Sequence, residues 1–355
     1  MLKERQSNIL NLIISSYTSS GLPVGSKKLM EDGIKASSAT IRNDMAVLEN
    51  LGLIAKEHTS SGRVPTMKGY RFYVDHLLRP SEVPSDELQL IRKSLGADFY
   101  EIDDIVKQSA KILSDLTSYT AFSFGPEMKE RKLTGFRILP INANQVIAII
   151  VTDNGNVESQ VFNLPENVDE EDLERMIRIV NDRMVGEPLM TVYNRLRTEI
   201  PMILHKYFQT PQGMLELFER VLDGAFKESV FVSGRMNLLD FGLVKNIQDF
   251  KSLYQFFGDV NQVTNLVTLS SEASEHEGKS IDIRIGSELN NRLFQEMSLI
   301  TATYDVEGHG KGAIALLGPN NMEYSKMFGL VDTFRTELAY KLTGYYCYLD
   351  RNSGL

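Results

Sequence analysis

Small and polar residues follow one another early in the chain, and their types suit hydrogen bonding to nucleic acid. Asn43 can pair with an adenine edge, and Arg42 can contact guanine or a phosphate. Ser37, Ser38 and Thr40 can bind phosphate near the N-terminus of a helix. This set predicts a surface that reads double-stranded DNA, although an ordinary surface helix explains this segment alone equally well.

A short turn that carries a cation follows about ten residues later, over residues 58–66. Arg63 stands beside its tip, where it could reach a phosphate or a narrow minor groove. Taken singly, Arg63 also fits a solvated surface charge, and His58 fits a polar turn residue. The other candidates for DNA contacts here are Lys56, His58, Ser61, Gly62, Thr66, Lys68 and Arg71.

A helix must position the first group. Residues about 100° apart around a helix axis place Ile41, Met45 and Leu48 on one side, which should pack inward. The opposite side carries Ala39, Asn43, Ala46 and Asn50. Alanines on that side let a helix sink into the major groove, with Ser37 or Ser38 as its N-cap.

The flanking segments predict a winged helix-turn-helix over residues 1–80. An amphipathic helix over 3–19 comes first, a turn over 21–25 breaks it, and Ser26 is expected to cap a short second helix that Gly33 ends. After the candidate recognition helix, two short strands enclose the basic turn, as in a wing.

Charge is distributed unevenly along the chain. The 355 residues include 38 Lys+Arg and 47 Asp+Glu, which gives a net charge of −9. Residues 1–80 hold 11 basic and 7 acidic residues, net +4, so the remainder holds 27 and 40, net −13. DNA attracts the first part and repels the second, which favours one docking orientation.

The helix and wing segments of residues 1–80 closely resemble those of the HrcA family of bacterial heat-inducible transcription repressors. The resemblance covers essentially the whole chain and is strongest over residues 1–80, where residues 37–45, 48–49, 58–66, 69–71 and 73–75 carry it. It continues at 283–288 and at 318–324, where Asn321 stands in place of the family's usual basic residue. Because this second turn lies far along the chain, we expect it to be remote from the DNA head.

The resemblance implies a function and an architecture. HrcA-like proteins are homodimeric repressors of chaperone operons, bind an inverted-repeat operator called CIRCE and depend on the chaperonin GroEL. The implied fold is multi-domain α+β: a winged helix-turn-helix, then a GAF-like α+β domain interrupted by a mostly helical inserted dimerisation domain. We expect the head at 1–80, a linker at 81–100, the GAF-like domain at 101–165 and 260–355, and the insert at 166–259.

Local patterns beyond the head predict alternating groups of helices and strands. The predicted helices span residues 87–95, 102–118, 169–184, 195–208, 214–226 and 324–348. The predicted strands span residues 119–124, 133–141, 146–152, 157–164, 230–232, 263–269, 281–285, 300–306 and 313–317. The Asn154-Gly155 pair predicts a tight hairpin.

Composition favours a cytoplasmic binding protein over an enzyme or a membrane protein. No stretch approaches the roughly 18 apolar residues that span a bilayer, and the N-terminus does not resemble a signal peptide. Cys347 is the single cysteine, and the five histidines show no metal-ligand spacing, so no cofactor or metal is expected. The glycine-rich run 308–312 lacks phosphate-loop spacing and predicts a hairpin turn, and no catalytic constellation is evident.

A second hypothesis from another class remains open. Many GAF-like domains bind small molecules, so the chain could be a ligand-gated regulator whose DNA binding responds to a metabolite. A ligand that both stabilises the protein and changes its operator affinity would distinguish this hypothesis from the first.

Overall fold

The computed structural model describes fourteen segments of the chain. They are residues 2–57, 62–96, 102–126, 132–142, 145–153, 157–163, 170–188, 191–192, 195, 230–242, 246–259, 262–267, 280–307 and 309–353. The predicted helices at 195–208 and 214–226 lie outside these segments, apart from residue 195. Most of the predicted Asn-Gly turn at 153–156 also lies outside these segments.

The N-terminal part has the order of a winged helix-turn-helix. Its elements are α1 (Glu4–Ser20), α2 (Ser26–Glu31), α3 (Ser38–Asn50), β1 (Ile54–Lys56), β2 (Arg63–Pro65) and α4 (Met67–His76). We call this part the head. Gly21 ends α1 in a left-handed conformation (φ +66°), which only glycine adopts without strain. The N-cap of α2 is Gly25, so the prediction that Ser26 caps this helix was wrong.

A five-stranded antiparallel sheet forms the centre of the chain's second part, which we call the body. Its strands are β3 (Thr120–Phe124), β7 (Val230–Ser233), β8 (Ile281–Ile285), β9 (Met297–Val306) and β10 (Gly310–Pro319). Their order in the sheet is β7-β3-β10-β9-β8. Strands β9 and β10 pair from Val306↔Gly310 onward, which confirms the hairpin predicted for the glycine-rich run.

Helices cover both faces of this sheet. They are α5 (Ser85–Leu95), α6 (Ile102–Thr117), α8 (Asn237–Asp240), α9 (Ile247–Gly258) and α10 (Tyr324–Ser353). Ile300 and Ile314 pack with α6 and α10, whereas Leu299 and Leu317 pack with α9 on the other face. Because helices cover both faces, β9 and β10 are buried over most of their length.

One predicted strand of the body was wrong. Residues 262–267 are helical, and Val263 and Val267 pack with α9 against the sheet. A short apolar run has no periodicity that separates a strand from a buried helix, and its two valines favoured the strand.

A second sheet stands apart from the first. Its strands are β4 (Leu133–Asn142), β5 (Gln145–Thr152) and β6 (Val157–Asn163), in that order, and α7 (Glu170–Met184) packs on β4. The sequence placed these strands in one domain with β3, with a boundary at residue 166. In the structure these three strands form their own sheet, and the chain returns to the first sheet by β7, so the two groups of strands do not pair with each other.

The head and the body share one core. A continuous cluster of buried apolar side chains runs from α1, α3 and α4 into β8, β9 and α10. The turn after β10 lies at this contact, since the Asn320 amide donates to the sulfur of Met67 on α4 at 3.4 Å. The expectation that residues 318–324 are remote from the head was therefore wrong.

Within the part of the chain that the structure describes, no helix is both long and apolar enough to span a bilayer.

Candidate nucleic-acid interface

The start of α3 is fixed by its own hydroxyl groups. Ser37 is the N-cap, and its Oγ accepts a hydrogen bond from the Thr40 backbone N–H at 3.2 Å. The two hydroxyls are also 2.9 Å apart. Ser37 is exposed and Thr40 is half-buried, so this end of the helix carries polar groups at the surface.

The inward face of α3 confirms the predicted rotation. Ile41 and Leu48 are fully buried, and Met45 is nearly so. Asp44 is buried on the same side, although its charge did not suggest an inward position. Its carboxylate accepts from Arg5 Nε at 2.6 Å and from Gln6 Nε2 at 3.2 Å, so α1 holds α3 by charge as well as by apolar packing.

The opposite face of α3 is exposed and mostly small. Ala39, Asn43, Ala46 and Asn50 all lie on it. Within the part of the chain that is described, the Asn43 amide has no hydrogen-bond partner. A free amide between alanines is available for a base edge, because nothing bulky beside it holds the helix away from a groove.

Arg42 and Ser38 belong to a small hydroxyl network with α2. The Ser26 and Ser38 hydroxyls are 3.0 Å apart, and Arg42 Nε donates to Ser26 Oγ at 3.3 Å. Arg42 is nevertheless exposed, so its guanidinium retains donors for a further contact.

Arg63 is paired inside the head. Its Nη2 lies 2.8 Å from Glu49 Oε2 on α3, and its side chain is only 14% exposed. Its backbone exchanges two hydrogen bonds of 2.9 Å with Val24, which ties β2 to the segment between α1 and α2. The Arg63 side chain thus links the wing to the recognition helix through an ion pair, rather than lying free at the tip of the wing.

Gly62 packs directly on Pro23. A Cβ at this position would come within 2.8 Å of the Pro23 carbonyl carbon, so the close approach requires glycine. His58 and Ser61 lie outside the described residues. Lys56, at the end of β1, is exposed.

Thr66 and Lys68 flank the start of α4. Thr66 is the N-cap, and its Oγ1 accepts from the Gly69 N–H at 3.0 Å and donates to the Gly52 carbonyl at 2.6 Å. Lys68 is exposed one residue into the helix. Of these two candidates, the Lys68 side chain lies at the surface, whereas the Thr66 hydroxyl is already hydrogen-bonded within the head.

Arg71 reaches the body instead of the surface beside α3. Its Nη1 donates to the Ile283 carbonyl at 2.7 Å and to Glu288 Oε2 at 3.1 Å, and its Nη2 pairs with Asp75 at 2.7 Å. The sequence grouped it with the phosphate contacts because a cation near the wing suits DNA. Ile283 and Glu288 lie more than 200 residues away along the chain, so no local pattern could identify them.

Other exposed cations lie around α2 and escaped the sequence prediction. Lys27 lies in α2 and Lys35 follows it, and both side chains are exposed. Lys28 pairs with Asp32 at 2.7 Å, and the hydrogen bond and charge of Asp32 raise the pKa of Lys28. The net positive charge of residues 1–80 was the signal that could have identified Lys27 and Lys35.

Acidic, histidine and cysteine side chains do not gather into a cluster of three or more within the described ranges. The surface of the head is therefore characterised by a small polar helix face with cations around it, which is an arrangement suited to a DNA groove.

Two family models match the chain. The model of the HrcA winged helix-turn-helix DNA-binding domain, a transcription repressor domain, matches residues 1–76. The model of the HrcA C-terminal domain matches residues 103–328. The chain belongs to the HrcA family. The head is therefore the family's DNA-binding domain, and the body carries its C-terminal domain.

Curated relatives agree over nearly the full length. The heat-inducible transcription repressor HrcA of Enterococcus faecalis is 63% identical over 349 residues, which is 98% of this chain and 99% of that protein. HrcA of Tetragenococcus halophilus is 56% identical over 350 residues, or 99% of each chain. These relatives show that the family to which the chain belongs is one of heat-inducible transcription repressors.

One solved structure has a similar fold. A hypothetical protein determined at 2.2 Å resolution aligns with a TM-score of 0.59 and 24% identity, over 97% of this chain and 100% of that one. At this identity the likeness concerns the fold alone.

Proposed function

We propose that this chain represses chaperone operons by binding an inverted-repeat operator, CIRCE, as a homodimer. The observation that carries the proposal is the division of α3 into two faces. Ile41 and Leu48 are fully buried, whereas Asn43 lies exposed between Ala39 and Ala46. A helix anchored on one side and small on the other can enter a major groove.

Individual roles follow from exposure and chemistry. Asn43 reads an adenine edge, and Arg42 contacts guanine or phosphate. The exposed hydroxyl of Ser37 and the exposed cations Lys56 and Lys68 contact the backbone. Ser38, Thr40, Gly62, Arg63 and Thr66 act by shaping the head, since the structure gives each of them a packing or hydrogen-bonding partner there.

The repressor must be a dimer because one recognition helix contacts too few base pairs to specify an operator. One recognition helix reads a few base pairs, each worth about 1–3 kcal/mol, whereas an operator must be distinguished from a whole genome. Two-fold symmetry matches an inverted repeat. The body, with its helix-covered five-stranded sheet, is assigned as the GAF-like domain, and the unit with β4–β6 and α7 is assigned to the inserted dimerisation domain.

Regulation follows the pattern implied by the family. GroEL assists the repressor into its active form in the cytoplasm, and heat diverts the chaperonin to unfolded proteins, so repression falls. The relatives named above are heat-inducible repressors, which supports regulation by temperature.

Binding assays test this function. Fluorescence anisotropy with a CIRCE duplex, a scrambled duplex and a single half-site measures specificity, and its dependence on salt counts the phosphate contacts. Tight binding to the inverted repeat alone supports the proposal, and equal binding to the scrambled duplex refutes it. Recovery of binding after heating, with and without chaperonin, tests the regulation separately.

A ligand-gated mechanism is the second candidate, and one cavity favours it. A polar cleft of about 840 Å³ lies between α4, β8 and α10, and is lined by charged side chains of both parts, including Asp75, Asp282 and Arg335. A small molecule there would touch the head and the body together. Thermal-shift screening against nucleotides and metabolites tests it, since a true effector must also change operator affinity.

A further inference from the structure

The contact between α4 and the body consists of three groups of side chains, which we call the joint. Arg71 forms the first group. Its guanidinium bridges the Ile283 carbonyl on β8, at 2.7 Å, and the Glu288 carboxylate, at 3.1 Å. Glu288 Oε2 also accepts a hydrogen bond from the Ile285 N–H at 2.8 Å, so a contact within the body holds the carboxylate independently of Arg71.

The second group joins α4 to the turn after β10. The rings of Tyr70 and Tyr324 are 5.8 Å apart between centroids, and both tyrosines are almost fully buried. Tyr324 Oη contacts Ser298 Oγ at 2.7 Å and donates to the Asn320 carbonyl at 2.8 Å. Asn320 in turn reaches Met67, so the turn holds α4 through both apolar and polar contacts.

The third group fixes the linker between α4 and α5. The Ser81 N–H donates to the Ser325 carbonyl at 3.0 Å, and their hydroxyls are 2.8 Å apart. The Ser81 carbonyl lies where a Cβ on Gly329 would be, so the linker runs flat on α10. A linker held in this way does not act as a flexible tether.

A fixed head has a direct consequence for DNA binding. Two heads on flexible tethers accept many half-site spacings, and the second binding event depends only on their effective concentration. Two heads held rigidly accept one geometry, and binding that geometry requires no further ordering. We propose that Arg71 is a positioning residue that sets the half-site spacing the repressor accepts, through the joint and without contacting DNA.

This inference rests on the proposed dimeric function, and it gives a role to the family-like segments 283–288 and 318–324. Both segments lie far from α3 in sequence, yet both supply joint residues, Glu288 and Asn320 among them. Their resemblance to the family is explained if the geometry between head and body matters for operator recognition.

The test compares the full-length chain with Arg71→Ala on three duplexes: the inverted repeat, the same repeat with its spacer changed by one base pair, and a single half-site. We expect Arg71→Ala to bind the inverted repeat about tenfold more weakly. Its half-site affinity should be unchanged, and its discrimination between the two spacings should be lost. Arg71→Lys, which keeps a donor for the Ile283 carbonyl, should be intermediate.

The matched control is Arg92→Ala. Arg92 also forms an ion pair, 2.7 Å from Glu337, but the pair is exposed and joins α5 to α10 within the body. It should leave all three affinities at their wild-type values. Equal weakening of half-site and repeat by Arg71→Ala would refute the inference, because Arg71 would then act on DNA or on the fold of the head.

A second measurement uses no DNA. Spin labels on Cys347, which is exposed on α10, and on an Asn8→Cys substitution in α1 report the distance between body and head. With labelled chains diluted in unlabelled protein, we expect a narrow distribution that Arg71→Ala broadens. An unchanged distribution would refute the joint. A wild-type chain that binds half-site and repeat equally well would instead refute the dimeric function.

Discussion

Two charged residues of the head, Asp44 and Arg63, hold the recognition helix in place. Asp44 is buried and receives Arg5 and Gln6 from α1, while Arg63 pairs with Glu49 from the wing side. A buried charge without its partner is costly, so each pair restricts how α3 can shift. The precision of the exposed face therefore depends on charges that do not touch DNA.

Asn43 is the residue whose removal should affect DNA alone. Its side chain is exposed and has no partner within the described residues, so Asn43→Ala should leave the melting temperature unchanged. Loss of a base contact should weaken operator binding by about 1–3 kcal/mol. Anisotropy titrations measure the loss, and Asn8→Ala, an exposed asparagine on α1, is the control. Wild-type affinity for Asn43→Ala would remove the residue from the interface.

Arg63→Ala should behave differently, because Arg63 is 14% exposed and paired. We expect the free energy of unfolding to fall by about 1–3 kcal/mol, with operator affinity falling as a consequence. Chemical denaturation of Arg63→Ala, Glu49→Ala and the double variant gives their coupling energy. Strictly additive effects would show that the pair does not brace the wing. Lys28→Ala, which breaks the exposed pair with Asp32, should change stability little.

For single residues, the sequence predicts which side chains are buried better than it predicts which side chains form ion pairs or hydrogen bonds with each other. The spacing of Ile41, Met45 and Leu48 determines which side of α3 packs inward, and the structure confirms it. The same spacing says nothing about which cation meets Glu49, since that depends on where the wing folds back. The type and position of Arg63 and Arg71 predicted DNA contacts, but they could not predict the partners that both side chains have within the chain.

The elements of the body were recognisable from local patterns, but their pairing was not. The eight strands of the two sheets were predicted close to their observed bounds. Sheet membership, however, depends on contacts between β3 and strands more than 100 residues later, and an antiparallel hairpin pattern does not encode it. The separate sheet formed by residues 133–163 was consequently not predicted.

Close contacts between elements also decide the effect of small substitutions. Gly69 lies in α4, where alanine favours the helix by about 1 kcal/mol. A Cβ there would stand 2.0 Å from the Leu53 carbonyl oxygen, which is backbone and cannot rotate away. Gly69→Ala should therefore lower the free energy of unfolding by about 1–3 kcal/mol, as overpacking does.

The control for Gly69→Ala is Gly344→Ala. Gly344 is exposed within α10, and nothing lies within 4 Å of a Cβ there, so alanine should stabilise the chain by about 0.5–1 kcal/mol. Denaturant titrations of both variants measure the two signs. A stabilising Gly69→Ala would show that α4 is not pressed against the loop before β1.

Across the whole molecule, we expect the joint to make the head and the body unfold as one cooperative unit. Its core is apolar and continuous, so the head should not unfold much before the body. Tyr70 from the head and Tyr324 from the body meet in this core, and burial raises the pKa of both phenols. That shift ties the stability of the joint to pH.

The sign of the effect follows from proton binding. In the unfolded chain each phenol ionises near its ordinary pKa of 10.0, whereas the folded chain keeps the proton. Stability is thus fully present below about pH 10 and falls above it, by up to about 1.4 kcal/mol per pH unit for each group. Tyr70→Phe removes one such group, so alkaline unfolding, followed by circular dichroism, should move to higher pH. Tyr340→Phe, at a site 82% exposed, should not shift it. Identical curves for the two variants would contradict the linkage.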